Sequence, residues 1–199
     1  EDRQALHAEQ GEVAEVGRLA VTAGGKLAPA QFLKIAPWDD GSVRWALMDT
    51  QVDVPAGGKL DLVVAANGGS PAPATPVKVE DGADGVKVST GPLAFSVSKK
   101  TFNIFESFKV DGKELIKAEG EGLAVINAAG DKAFVDAPPT EVKVEQAGPM
   151  RATVCVRGKV GPIKGWITYT MRITAYAGKK FVKVRTWLQN DGAFGYNRE

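Results

Sequence analysis

Apolar and polar residues alternate through most of the chain, most regularly near its end. Across 151–157, Ala152, Val154 and Val156 share one parity, with Arg151, Thr153, Cys155 and Arg157 on the other. Across 168–176, Tyr169, Met171, Ile173 and Ala175 oppose Thr170, Arg172, Thr174 and Tyr176. Across 181–188, the aliphatics Val182, Val184 and Leu188 oppose Lys183, Arg185 and Trp187. A period of two sends successive side chains to opposite faces of a strand. One polar face per strand predicts antiparallel sheets with a solvated side. Strands are therefore expected over 141–145, 150–158, 165–177 and 179–190.

The earlier chain repeats the pattern in shorter pieces, with strands expected near 16–21, 30–35, 43–54, 59–65, 77–80, 86–90 and 93–98. Ala23-Gly24-Gly25-Lys26, Pro55-Ala56-Gly57-Gly58, Asp81-Gly82-Ala83-Asp84-Gly85 and Gly91-Pro92 separate them. Val110-Asp111-Gly112-Lys113-Glu114 is a hairpin signal. Such breaks recur at roughly the 8–12-residue spacing of sandwiches and barrels. Residues 1–10 read as a short helical turn or a frayed lead-in, and no long amphipathic helix is present. Asn67-Gly68-Gly69-Ser70-Pro71-Ala72-Pro73-Ala74-Thr75-Pro76 has linker composition. The fold class is all-β, with a domain over 1–75 and another over 76–199.

The stretch 38–45, Trp-Asp-Asp-Gly-Ser-Val-Arg-Trp, is the most distinctive. Asp39, Asp40 and Ser42 can bond their own backbone, and Gly41 suits a positive φ, so a tight turn is expected. In the strand that follows, alternation puts Val43, Trp45 and Leu47 on one face and Arg44, Ala46 and Met48 on the other. The same residues fit a tryptophan-rich hairpin core. They also fit a sugar site, where an exposed indole stacks on a ring and Asp40 or Arg44 bonds its hydroxyls.

Composition narrows the chemistry. The 199 residues are 44% hydrophobic, enough to build a core. With 25 basic and 24 acidic residues, net +1, the chain lacks the charge excess of a nucleic-acid binder. No apolar run is long enough to span a membrane. A lone cysteine, Cys155, allows no internal disulfide and reads as a small buried residue. With His7 the one histidine, a His-dependent triad or multi-His metal site is not expected. Asp39/Asp40 and Glu119/Glu121 are nominal carboxylate pairs for glycoside hydrolysis, but nothing fixes their separation. The Asp81–Gly85 turn lacks the ligand ladder of a calcium loop. The polar face of Arg151, Arg157, Arg172, Lys183 and Arg185, with Tyr169 and Tyr176 nearby, suits an acidic polysaccharide or serves as a plain solvated surface.

Ala30-Gln31 followed by 38–47 resembles the "Q…WpDGSvrWal" signature of the exo-rhamnogalacturonan lyase-like family, in its N-terminal RIFT-barrel domain. Thr90-Gly91-Pro92-Leu93, Asp111-Gly112-Lys113-Glu114-Leu115, Gly148-Pro149-Met150-Arg151-Ala152 and Arg172-Ile173-Thr174-Ala175-Tyr176-Ala177-Gly178 resemble its following β-sandwich domain. Where members often carry a "PFPKG"-like segment, this chain reads Glu9-Gln10-Gly11-Glu12-Val13. The resemblance implies a small RIFT-type β-barrel followed by an antiparallel β-sandwich, complete or truncated, and a secreted or periplasmic parent protein. That parent would be a polysaccharide lyase using β-elimination, with its catalytic residues in a helical toroid domain absent from this chain.

The expectation is thus a non-catalytic pair of β-domains that contacts acidic glycan and supports the missing C-terminal catalytic domain. No catalytic residue, metal or cofactor is assigned. The glycan contacts expected are Trp38, Asp40, Arg44, Arg172, Arg185 and Tyr176. A stand-alone carbohydrate-binding module and a structural module without ligand remain open beside it.

Overall fold

The computed structural model describes residues 4–66, 68–116, 122–126, 130, 132–135, 137–160 and 167–190. Among them, strands are the dominant element, and the one helical piece is a 3-10 turn at Val16–Arg18. The chain divides into two compact units. One comprises Glu1–Pro76 with Gly148–Arg151, the other Val77–Ala147 with Ala152–Glu199.

The first unit contains β1 (Gln4–His7), β2 (Ala20–Ala23), β3 (Lys26–Ala28), β4 (Ala30–Pro37), β5 (Val43–Thr50) and β6 (Leu62–Ala65). They form two three-stranded antiparallel sheets, ordered β1-β5-β4 and β3-β2-β6. Val13, Leu19, Val43 and Ala46 form one apolar cluster, and Val21, Ala28, Ala30 and Met48 a second. Phe32 and Val64 pack against both, so hydrocarbon is continuous through the unit.

Three expectations need correction here. Residues 4–7 are neither helical nor frayed: β1 pairs with β5, setting His7 opposite Trp45. The strand from Val43 stops at Thr50 instead of reaching Val54; its partner β4 begins at Ala30, opposite Thr50, and Pro29 before it has no N–H to carry the ladder further. The face assignment in β5 also fails. Lys34 opposes Ala46 and Ala36 opposes Trp45, but Pro37 opposes Val43, which leaves Arg44 without a partner in β4. An unopposed residue shifts the alternation by one. Val43, Ala46 and Met48 are buried, while Arg44 and Trp45 both face outward.

The second unit contains β7 (Lys78–Asp81), β8 (Gly85–Ser89), β9 (Leu93–Ser98), β10 (Ser107–Val110), β11 (Lys113–Glu114), β12 (Ala124–Ile126), β13 (Lys132–Phe134), β14 (Glu141–Ala147), β15 (Arg151–Val160), β16 (Ile167–Tyr176) and β17 (Val182–Asn190). Two larger sheets, ordered β11-β10-β9-β8-β7 and β14-β15-β16-β17, bury one core, with β12 and β13 as a separate pair. Val86, Leu93, Phe95 and Val97 come from the first sheet, and Val154, Val156, Tyr169, Met171 and Ile173 from the second. Aliphatic side chains of this size each contribute about 1.5–3 kcal/mol when fully withdrawn from water. Phe102 stacks on Tyr169 with ring centroids 4.9 Å apart.

Turns at one end of this sandwich are tied together. Thr90 is fully buried. Its hydroxyl donates to the Lys179 carbonyl at 2.7 Å, and its own carbonyl accepts from the Gly178 N–H at 2.9 Å. The Asp111 N–H reaches the Pro92 carbonyl at 2.8 Å, and its carboxylate meets Lys180 at 2.7 Å. Asp111 and Gly112 have φ of 50° and 78°, the left-handed pair that a two-residue hairpin requires. The expected hairpin therefore forms, joining β10 to β11. Asp81 and Asp84, the acids of the next turn, each bind a lysine, Lys99 and Lys100, at 2.6 Å.

Candidate functional site

In the first unit the turn at 38–42 spends its polar atoms on itself. The Gly41 N–H donates to the Trp38 carbonyl and the Trp38 N–H to the Ser42 carbonyl, at 2.9 and 2.8 Å. Asp40 accepts from the Ser42 N–H at 2.9 Å and from its hydroxyl. Ser42 in turn accepts from the Gly11 N–H at 3.0 Å. The Ser42 hydroxyl bond, followed by its backbone bond, holds the Asp40 carboxyl below the usual aspartate range. The Trp38 indole N–H is committed to the Ala8 carbonyl at 2.9 Å. The Arg44 guanidinium lies 4.6 Å from the centre of the Trp38 ring. His7 presents an edge to Trp38 at 5.8 Å and to Trp45 at 4.8 Å. Of the two tryptophans, Trp45 is the exposed one. A sugar could reach the Arg44-covered face of Trp38 only by displacing that guanidinium.

A pocket of about 130 Å³ lies within the first unit, lined by Leu6, Val13, Leu19, Val43 and Val64 together with His7 and Glu12.

The first unit also unites two sequence motifs. Gln31 Oε1 accepts from the backbone N–H groups of Met150 and Arg151, both at 3.0 Å. Arg151 Nη1 meets Asp49 at 3.0 Å, with both side chains largely buried. Gly148 abuts Gln31 so closely that a Cβ there would overlap the side-chain amide. Arg151 is thereby withdrawn from the cationic face on which alternation placed it.

The second unit gathers charge on the outer side of the β14-β15-β16-β17 sheet. Pairing sets Glu141 opposite Arg157, Lys143 opposite Cys155, Arg172 opposite Arg185, and Thr170 opposite Trp187. Residues directly opposite share a face. Lys143, Arg157, Lys159, Arg172, Lys183 and Arg185 thus outnumber Glu141 and Glu145 on it. Arg157 pairs with Glu141 at 2.7 Å. Arg172 engages Glu145 through two bonds, Nε at 2.7 Å and Nη2 at 2.8 Å. That double bond pulls the Glu145 carboxyl below the usual glutamate range and raises Arg172 further. The Arg172 guanidinium also lies 5.1 Å from the Trp187 ring, which is 49% exposed. Arg185 is exposed and forms no ion pair among the described residues. Arg185 and Trp187 thus share one face of the same strand, and both are exposed.

Other candidates fall elsewhere. Tyr176 is only 7% exposed, its ring 6.0 Å from that of Phe181. Tyr169 belongs to the core rather than to the cationic face. Cys155 is buried, and burial followed by the Glu145 charge raises its thiol pKa, the opposite of an activated nucleophile. Glu119 and Glu121 lie outside the described residues. Asp39 is exposed beside the committed Asp40. No helix among the described residues is long and apolar enough to cross a membrane, and no cluster of potential metal ligands occurs among them. The residues that sequence reasoning missed are Trp187 and Glu145. The signal for Trp187 lies in the alternation, which puts it on one face with Lys183 and Arg185.

Architecture and site together define an all-β protein whose second unit is a two-sheet sandwich with a cationic, tryptophan-bearing outer face. A family model described as the PcRGLX-like protein central beta sandwich domain matches residues 77–195. The chain belongs to this family, and its sandwich is that of a rhamnogalacturonan lyase-like protein. No curated protein matches it.

Proposed function

We propose that this chain supplies the non-catalytic β-domains of a secreted rhamnogalacturonan lyase-like protein. In this reading the first unit is a RIFT-type barrel, and the sandwich contacts an acidic polysaccharide while supporting a catalytic helical toroid domain. The observation that carries the reading is the exposed Arg185, without an ion pair among the described residues, on the same strand face as the Trp187 ring that Arg172 overlies, where positive charge is in excess. Arginine bonds carboxylates bidentately, and an indole stacks on the C–H face of a sugar ring. Glu145 fixes Arg172 in place over Trp187 and leaves Arg185 available to a uronate carboxylate.

Chemistry at the carbon alpha to a carboxylate needs a base and groups that neutralise the carboxylate. The cationic face offers the second and no base poised for the first. Trp38, Asp40 and Arg44 are assigned to holding the turn, with Trp45 as its outward-facing indole.

The test is binding of the whole chain to polygalacturonate and to dextran, with absorbance of unsaturated uronates followed in the same wells. Binding to the acidic polymer alone, weakened by salt and by Arg185→Ala or Trp187→Ala, is expected. Binding that both substitutions leave unchanged would remove this face from the reading. New absorbance would overturn the non-catalytic assignment. Absence of both signals would leave a structural module.

A further inference from the structure

The ladder between β14 and β15 breaks register once. Val144 opposes Val154 and Gln146 opposes Thr153, so Glu145 has no cross-strand partner. A bulge of this kind frees one residue from the ladder and re-aims its side chain. Glu145 uses that freedom to reach over β15, since its partner Arg172 lies on β16 and the sheet order is β14-β15-β16. Two strand spacings, about 10 Å of sheet, are bridged. The contact is the two-pronged geometry with which a guanidinium holds any carboxylate, Nε at 2.7 Å and Nη2 at 2.8 Å. The other acid of the face, Glu141, meets Arg157 through one nitrogen, and both of its partners' side chains lie further out in water.

Arg172 stands directly opposite Arg185 in the β16-β17 ladder. Cβ atoms of such a pair are about 4.5–5.5 Å apart, so like charges there disfavour each other. Glu145 neutralises Arg172, which overlies Trp187 at 5.1 Å. Arg185 is exposed, with no ion pair among the described residues. Two adjacent guanidinium groups suit two carboxylates of one polyanion. One of those two places is already taken, by a carboxylate of the chain itself.

We propose that Glu145 is a built-in occupant of Arg172 that sets how many ligand carboxylates the face reads. With Glu145 in place, Arg185 takes one uronate carboxylate. A second carboxylate approaching Arg172 meets the Glu145 charge instead of a free guanidinium. A polymer with a carboxylate on every sugar then gains little over one with a carboxylate on alternate sugars. This role rests on the reading that the face takes an acidic glycan, and it adds the residue that limits the contact. If Glu145 served only to relieve the repulsion between Arg172 and Arg185, the ion pair would matter to stability and not to the choice of glycan.

The experiment is titration calorimetry of the whole chain and its variants at fixed salt. The probes are polygalacturonate, with a carboxylate on every sugar, and hyaluronan, with one on alternate sugars. Glu145→Gln keeps the shape of the side chain and removes its charge. It should tighten polygalacturonate roughly fivefold, the upper worth of one part-exposed ion pair, and hyaluronan by less than about twofold. Glu141→Gln removes the same charge from the same face and should shift either polymer by less than about twofold, because salt screens exposed charges. In an Arg172→Gln background the gain from Glu145→Gln should vanish. Circular-dichroism melts of each variant should show the fold intact. Native binding that Glu145→Gln leaves unchanged or weakens would overturn the role of Glu145 and leave the acidic-glycan reading standing. An equal gain from Glu141→Gln, or a gain that survives Arg172→Gln, would overturn it as well, since charge anywhere on the face would then account for it. If neither the native chain nor Glu145→Gln binds either polymer, the glycan reading falls and this role falls with it.

Discussion

Tyr169 offers the sharpest test of how the sandwich core is built. Its side chain is about 1% exposed, its ring stacks on Phe102, and its hydroxyl has no hydrogen-bond partner among the described residues. Burial pushes its ionisation far above the ordinary tyrosine range. A hydroxyl buried without a partner costs about 1–3 kcal/mol relative to a satisfied one. Tyr169→Phe removes that oxygen and keeps the ring, the stacking and nearly all the volume. Against the gain stands a small void near Gly158, whose missing side chain makes room for the phenol. A void of one oxygen atom cancels only part of the gain, roughly 0.5 kcal/mol at the general cavity rate. The net expectation is a stabilisation of about 1 kcal/mol. Equilibrium urea denaturation would read it as a higher midpoint at unchanged slope. Destabilisation by 1 kcal/mol or more would refute the reasoning, because only a hydroxyl with a real partner can be missed that much. Gly158→Ala, by contrast, drives a Cβ into the Tyr169 ring as well as its hydroxyl. Combining it with Tyr169→Phe should relieve only part of its cost.

Two further predictions concern the first unit and the cationic face. Gln31→Ala strips the acceptor from the Met150 and Arg151 N–H groups and should cost about 1–3 kcal/mol in thermal or urea unfolding, while Gly148→Ala, which forces Gln31 out of place, should match or exceed it. If the two substitutions together cost the sum of each alone, they act on separate features and the clamp is wrong. Glu145 is held below its ordinary range by Arg172, so its contribution is present above that range and fades as pH falls through the lowered value. Urea midpoints between about pH 6 and pH 3 should show the decline, and Glu145→Gln should flatten part of it, by under about 1 kcal/mol for a part-exposed pair.

The sandwich was legible because its strands obey one period. Ala152, Val154, Val156, Tyr169, Met171, Ile173 and Ala175 all lie in the core, as alternation required. The Asp111-Gly112 hairpin was legible because its turn chemistry is local. What failed did so for non-local reasons. Arg44, unopposed in β4, reversed the parity of β5, and no pattern within β5 announces that. β1 exists because β5 offers it an edge, not because Gln4-Ala5-Leu6-His7 favours a strand by itself. Val184 and Leu188 carry the alternation of an inward face, yet they are exposed because β17 ends its sheet. Period tells which residues share a face; sheet order decides whether anything covers it.

The same distinction separates the two tryptophan sites. Trp38 stands in the more conspicuous motif, and in isolation that motif looks like a binding turn. Its indole N–H is bonded to Ala8, its ring is covered by Arg44, and its neighbouring Asp40 is consumed by Ser42. Trp187 sits in an ordinary alternating strand with no motif around it. There the indole is left half in water, alternation along β17 puts Arg185 on its face, and cross-strand register brings Arg172 over it. The distinctive residues secure a turn, and residues of an ordinary alternating strand, with one neighbour supplied by pairing, provide the surface a polyanion could use. Gln31 and Gly148 follow the first rule: one side-chain oxygen serves the N–H groups of Met150 and Arg151, 119 and 120 residues along the chain. A motif marks a position that tolerates few substitutes, and a buried clamp meets that condition as fully as a ligand site does. Function is therefore better sought where a polar group remains uncommitted after the fold has taken its share, and among the described residues of the sandwich's outer face that group is Arg185, on the same face as the half-exposed Trp187.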